Sequence, residues 1–200
     1  MDLSIAAILA QDGVTSGAIY ALLALALVLV FSVTRVIFIP QGEFVAYGAL
    51  TLAAIQANKA PLSASMLVVL GVLTFLVEMG RTLLQPELRL HALRTGAIYA
   101  GKYLLFPVAV YLAARMFTPM TLPMLAQVAL TLLIVIPMGP MIYRLAYEPL
   151  AEASTLVLLI VSVGVHFALV GLGLVMFGAE GSRTDAFSDA RFDLGALSVS

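Results

Sequence analysis

Among the ionisable residues of the chain, Glu43 and His166 stand where charge is least expected. The first sits at the junction of two apolar stretches and the second in the middle of one. A carboxylate or an imidazole in such surroundings faces a bundle interior or a water-filled path, pairs with another group, or relays protons. Glu43 belongs to the segment Ile39-Pro40-Gln41-Gly42-Glu43-Phe44-Val45-Ala46-Tyr47-Gly48, which also reads as a helix start. Proline at a first helical position loses no needed donor, and a carboxylate in the opening turn meets the positive end of the helix dipole. A structural and a pathway role therefore both stand for Glu43. For His166 the choice is between a neutral imidazole bonded to another helix and a proton relay, and no second histidine or carboxylate shares its own helical face.

Other polar groups point to packing. Glu78 and Arg81, three residues apart near a helix end, read as a solvated pair. Gln127 reads as a hydrogen-bonding partner for a neighbouring helix. The chain has no GxxxxGK(S/T), HExxH or GxSxG motif, and the glycines at Gly171 and Gly173 are not followed by the pattern of a dinucleotide loop. Without cysteine there is no disulfide, thiolate metal site or cysteine nucleophile. Neither a catalytic constellation nor a cofactor or metal site is expected.

The elements that must position these groups are membrane helices. The chain is 62% hydrophobic and 10% charged, with a mean hydropathy of +1.11, and carries more apolar surface than a water-soluble globule of 200 residues could bury. Ten basic residues nearly balance eleven acidic ones, which gives no reason to expect a nucleic-acid partner. A bilayer core of about 30 Å asks for about 20 apolar residues per helix. Val14 to Thr34, Leu62 to Val77, Ala97 to Ala114, Leu122 to Tyr143 and Ser154 to Phe177 answer to that demand. Lys102 interrupts the third of these, and Pro137 and Pro140 are expected to kink the fourth. Phe44 to Ala57 is short and either extends at its ends or is partly re-entrant. The expectation is an all-α, polytopic transmembrane bundle of about five to six segments in a single domain.

Short basic loops stay cytoplasmic, so the connection carrying Arg81, Arg89, Arg94 and Lys102 is expected inside, with Arg35 and Arg144. The N-terminus, Lys59, Arg115 and the tail after Gly178 are then external, the tail solvated. Two stripes of small residues, Gly13, Gly17, Ala21 and Ala24 in the first helix and Gly164, Ala168 and Gly171 beside Gly173 in the last, are expected to pack against other helices of the chain, the alternative being a subunit interface.

Two separated segments resemble the permease subunits of bacterial branched-chain amino-acid ABC transporters. Gly13-Val14-Thr15-Ser16-Gly17-Ala18-Ile19-Tyr20-Ala21-Leu22-Leu23-Ala24-Leu25-Ala26-Leu27 is similar to that family's opening helix, and Gly42-Glu43 with Tyr47-Gly48 to its Gly-Glu segment. Tyr143-Arg144 and Glu148-Pro149-Leu150, followed by Leu158 to Gly164 and Leu174 to Gly178, resemble its cytoplasmic turn and following helix. The middle departs: Gln85 to Tyr103 looks like an added or diverged connection, and Pro40-Gln41 stand where the family often shows Ala-His.

The resemblance implies a non-catalytic permease of the bacterial inner membrane, similar to the family's N-terminal portion, with an ATPase-docking segment expected beyond Ser200. It implies a second permease subunit, same or homologous, with cytoplasmic ATPase subunits, a periplasmic solute-binding protein and membrane lipid as partners. Gln41, Gly42, Glu43 and Tyr47 are its candidates for lining or shaping a solute path, with Ser162 and His166 as weaker ones. The alternative is a secondary transporter or channel in which Glu43 or His166 couples transport to an ion gradient.

Overall fold

The computed structural model describes residues 3–84, 92–118, 120, 122–184, 192–194 and 197–199. Helices dominate: α1 (Leu3–Thr34), α2 (Gln41–Gln56), α3 (Leu62–Leu84), α4 (Ala92–Ala100), α5 (Phe106–Phe117), α6 (Met124–Ile142) and α7 (Thr155–Phe177). A π-turn, Gly101–Leu105, joins α4 to α5, and a second, Tyr143–Tyr147, extends α6 into a short 3₁₀ turn at Glu148–Leu150. Phe192–Leu194 (β1) and Leu197–Val199 (β2) form a small antiparallel pair. The rest of the expected solvated tail, from residue 185 to 191 and at 195, 196 and 200, lies outside the described residues, as do residues 85–91 of the basic connection.

Among the described residues, five stretches are long and apolar enough to cross a membrane: Ile8–Thr34, Leu62–Leu84, Arg94–Phe117, Met124–Leu150 and Thr155–Phe177. They match the five long apolar runs of the sequence, and the chain is a multi-pass membrane protein built as an all-α bundle. Lys102 does not break the third span; the helix passes through it by widening into the π-turn. Pro137 and Pro140 both stand inside α6, where each removes a backbone donor.

The short run forms α2, 16 residues long. Its end is a Schellman turn: the N–H of Lys59 donates to the carbonyl of Ala54 and that of Asn58 to Ile55, with Asn58 at a φ of 55°. Asparagine tolerates this left-handed conformation better than branched residues do. Arg35, at a φ of 57°, ends α1 in the same region of backbone space.

The core lies where α2, α3, α6 and the α4–α5 helix meet, around fully buried Leu67, Ile134 and Met138. One contact there is set by a glycine. Gly71 of α3 lies so close to the carbonyl oxygen of Tyr103 that an added Cβ would collide with it, and would stand 3.0 Å from the Cγ of Pro107. The stripes of small residues behave otherwise. A Cβ at Gly13, Gly17, Gly164 or Gly171 would meet nothing within 4 Å, so the expected packing of these glycines within the chain is not made among the described residues. For the first stripe the reason is the position of α1, none of whose described side chains is buried. Gly173 is different, for a Cβ there would touch the ring of Tyr47 at 3.6 Å.

Candidate functional site

The site begins with the chain between α1 and α2. After Arg35 the backbone turns back: Gln41 donates from Nε2 to the carbonyl of Leu23, 2.7 Å away. Leu23 is close to the middle of the span Ile8–Thr34. The return from Thr34 to the level of Leu23 is about eleven residues of helix, or ~16 Å at 1.5 Å per residue. Residues 36–40 lead back without helix, turning through hydrogen bonds from the N–H of Ile39 to Ile37 and from that of Gln41 to Phe38, and the Gln41 side chain spans the remainder to Leu23.

Two other contacts fix the same level. The ring of Phe44 lies 3.7 Å from where a Cβ of Gly139 would be, near the middle of Met124–Leu150, and Glu43 meets His166, the middle residue of Thr155–Phe177. The first turn of α2 therefore opens level with the centres of three spans. The expected short run thus lies in α2, which is extended at its start to Gln41 and is preceded by non-helical backbone from Val36 to Pro40.

Pro40 precedes the helix and is fully buried, with a φ of −65°. Its carbonyl accepts from the N–H groups of Glu43 and Phe44, and the turn starts without a side-chain cap. Glu43 stands in that first turn, near the positive end of the helix dipole, where negative charge is stabilised.

Oε1 of Glu43 stands 2.8 Å from Nδ1 of His166. The contact has the distance of an ion pair without hydrogen-bond alignment, and Oε2 of Glu43 has no hydrogen-bond partner among the described residues. The Glu43 side chain is 14% exposed and that of His166 31%, so the pair is largely enclosed and open on the imidazole side. Such a pair can hold a proton, exchange it, or offer its free carboxylate oxygen to a donor.

The six candidate residues separate into three roles. Glu43 and His166 meet across α2 and α7, a pairing that the sequence of His166's own helix does not contain. Gln41 points elsewhere, since positions two apart differ by about 200° around a helix. Its amide nitrogen holds α1, its Oε1 is buried with no hydrogen-bond partner among the described residues, and with Gly42 it lines a cleft against Leu23, Ala24 and Leu27 of α1. Tyr47 and Ser162 are buried: the Tyr47 hydroxyl donates to the carbonyl of Leu169 at 2.9 Å with its ring edge-on to Phe177, and Ser162 shares a 3.0 Å hydrogen bond with the Tyr147 hydroxyl. These two fasten α7 to the bundle on either side of His166.

Glu78 requires a correction. It is not part of a solvated pair but a buried carboxylate, with 7% of its side chain exposed. Arg144, from the π-turn after α6, donates to its Oε1, Arg81 is 3.8 Å from the same oxygen, and Arg81 also lies 3.4 Å from Glu148. The guanidinium of Arg144 further sits over the ring of Tyr103, 5.7 Å from its centroid. Residues 66 apart in sequence supply the main contact, so nothing local in the chain reveals it. Gln127 is also corrected, for it donates to the carbonyl of Leu122, just before the start of its own helix.

No protein-family model matches the chain, and comparison with curated proteins and with solved structures finds no match.

Proposed function

We propose that the chain is a membrane-spanning permease subunit of an ATP-driven importer for branched-chain amino acids or related small solutes, working in the bacterial inner membrane. The observation that carries the transport reading is the opening of α2 level with the middle of three spans, with Glu43 facing His166. Irregular backbone at such a depth is tolerated where it is buried in protein or lines a water-filled cavity, and interrupted helices with polar first turns are a recurrent way to build solute sites. The similarity of Gly13 to Leu27, Gly42-Glu43, Tyr47-Gly48 and the Arg144 to Gly178 region to ABC permeases supports the importer class.

In this reading the chain does no chemistry. A second permease subunit completes the path, ATPase subunits bind on the Arg81 side, and a solute-binding protein delivers from the opposite one. ATP binding favours one helix arrangement by differential interaction energy, exposing the path to each side in turn. Gln41 and Gly42 shape the break against α1, Glu43 and His166 supply polarity in the path, and Tyr47 and Ser162 keep α7 in register.

The Glu43–His166 pair also favours a second reading, a secondary transporter or channel, because a carboxylate and an imidazole in contact can carry protons through a membrane. Reconstitution of the full-length protein separates the two. Solute accumulation that requires ATPase subunits and ATP supports the importer. Accumulation without an ATPase, driven by an imposed proton gradient, contradicts it and supports the second reading.

A further inference from the structure

We propose that the cavity between the Gly101–Leu105 π-turn and α6 is a binding site for one anionic phospholipid, its acyl chain in the cavity and its headgroup phosphate on Lys102. The cavity holds about 340 Å³ and is lined by Lys102, Tyr103, Phe106, Pro137, Pro140 and Met141.

Its origin is in two irregularities that face each other. The π-turn widens one helix at Gly101–Leu105, and Pro137 and Pro140 deprive the other of backbone donors over the same height. Neither helix can close its ridges into the other's grooves there, and a gap stays between them. The gap opens sideways, towards the surface that lipid covers: Leu105 is 70% exposed and Ile136 63%, and Phe106 and Pro140 at the cavity itself are exposed as well.

Charge selects the occupant. Two cations approach the Tyr103 ring, Arg144 at 5.7 Å and Lys102 at 5.4 Å from its centroid. Glu78 neutralises Arg144, whereas among the described residues no carboxylate lies within ion-pairing distance of Lys102. An uncompensated ammonium beside an apolar cavity fits a phosphate diester carrying an alkyl tail and offers nothing to a zwitterionic headgroup that its own choline or ethanolamine does not already supply. Depth agrees. Lys102 is about eight residues, or ~12 Å of helix, inside the Arg94 end of its span, and its stem can extend towards that end to meet a phosphate at the interface. A basic pocket between helices with an apolar wall is a recurrent form of site for anionic lipid.

The chain has no tryptophan, which permits a direct test. A Phe106→Trp variant of the full-length protein places one indole at the cavity, and Leu132→Trp places one on an exposed face of α6 as control. Each is reconstituted in phosphatidylcholine vesicles with a fraction of lipid brominated on the acyl chain, either phosphatidylglycerol or phosphatidylcholine. Brominated phosphatidylglycerol is expected to quench the cavity indole of Phe106→Trp with about fivefold higher apparent affinity, the preference one basic residue confers, and to quench the control indole of Leu132→Trp no better than phosphatidylcholine does. In the Phe106→Trp background, Lys102→Gln removes the preference and Lys102→Arg retains it. Equal quenching of the cavity indole by the two lipids, or a preference that survives Lys102→Gln, overturns the proposal. Displacement of the brominated lipid by millimolar inorganic phosphate overturns it too, in favour of a site for a soluble anion.

Discussion

Glu43 and His166 meet at 2.8 Å although more than half the chain separates them, one on the first turn of α2 and the other at the middle of α7. The contact brings a carboxylate and an imidazole together at mid-height of the bundle, and Oε2 of Glu43, without a hydrogen-bond partner among the described residues, is open to a third group. If that charge shapes the path, Glu43→Gln preserves size and hydrogen-bonding capacity while removing it. Uptake by the assembled transporter is expected to fall about tenfold or more, the loss of one charge-assisted contact of ~1.5 kcal/mol or above. Membrane abundance should stay near that of the parent. Quantifying both in the same vesicles checks this, and lost abundance with unchanged uptake per complex would assign Glu43 to structure alone.

Gly71 gives a stability prediction. An added Cβ collides with a backbone carbonyl, that of Tyr103, which cannot swing aside as a side chain can. Gly71→Ala is expected to lower stability by about 1–3 kcal/mol, the usual cost of overpacking. Gly80→Ala, on the same helix where a Cβ meets nothing within 4 Å, should be neutral or slightly stabilising through helix propensity. Thermal unfolding of the two variants in one detergent compares them.

The buried carboxylate gives a third. Glu78→Gln leaves Arg144 without its counter-charge in an enclosed position, and breaking such a pair from one side costs more than the pair is worth. Because the Arg144 side chain is 31% exposed, a loss of about 2 kcal/mol is expected, below the range for fully buried pairs. The double variant Glu78→Gln, Arg144→Gln should recover part of it. A double-mutant cycle in thermal stability measures the recovery, and strictly additive losses would show that the two residues do not act together.

Much of the fold is legible in the sequence because a bilayer imposes long apolar runs, and Val14 to Thr34 or Ser154 to Phe177 could be little else. Phe44 to Ala57 is legible only in part. Its shortness marks it as extended at its ends or partly re-entrant, but the level at which α2 starts depends on Gln41 reaching Leu23 and Phe44 reaching Gly139, neither of which a linear pattern encodes. Glu78 misleads for a related reason. Arg81, three residues on, suggests an exposed helical pair, while the partner that matters arrives from the turn after α6. The glycine stripes mislead in the opposite direction: small residues at helical spacing suit close packing, yet at Gly13 and Gly17 none of the described residues takes up the space, and Gly71, which admits a backbone carbonyl, belongs to no stripe.

Sidedness yields a fourth prediction. Arg81, Arg144 and Glu148 share one end of the bundle through their ion pairs, and Lys59 lies at the other, where α2 ends. The positive-inside bias places the arginine end in the cytoplasm. In this cysteine-free chain, Lys59→Cys is expected to react with an impermeant thiol reagent added outside intact cells, and Glu152→Cys only after permeabilisation. The reverse pattern would invert the orientation.

If the first turn of α2 borders an aqueous path at the middle of the membrane, Gly42 shows it most directly. A Cβ there meets nothing within 4 Å, so Gly42→Cys introduces a thiol without displacing a neighbour. A hydrophilic methanethiosulfonate reagent reacts with a thiolate, which forms in water and not in lipid. In the assembled transporter the Gly42→Cys thiol is expected to react at a rate well above that of Leu105→Cys, whose parent residue is exposed on the lipid-facing surface, and excess solute should slow it. A Gly42→Cys variant as inert as Leu105→Cys, with and without solute, would contradict the account.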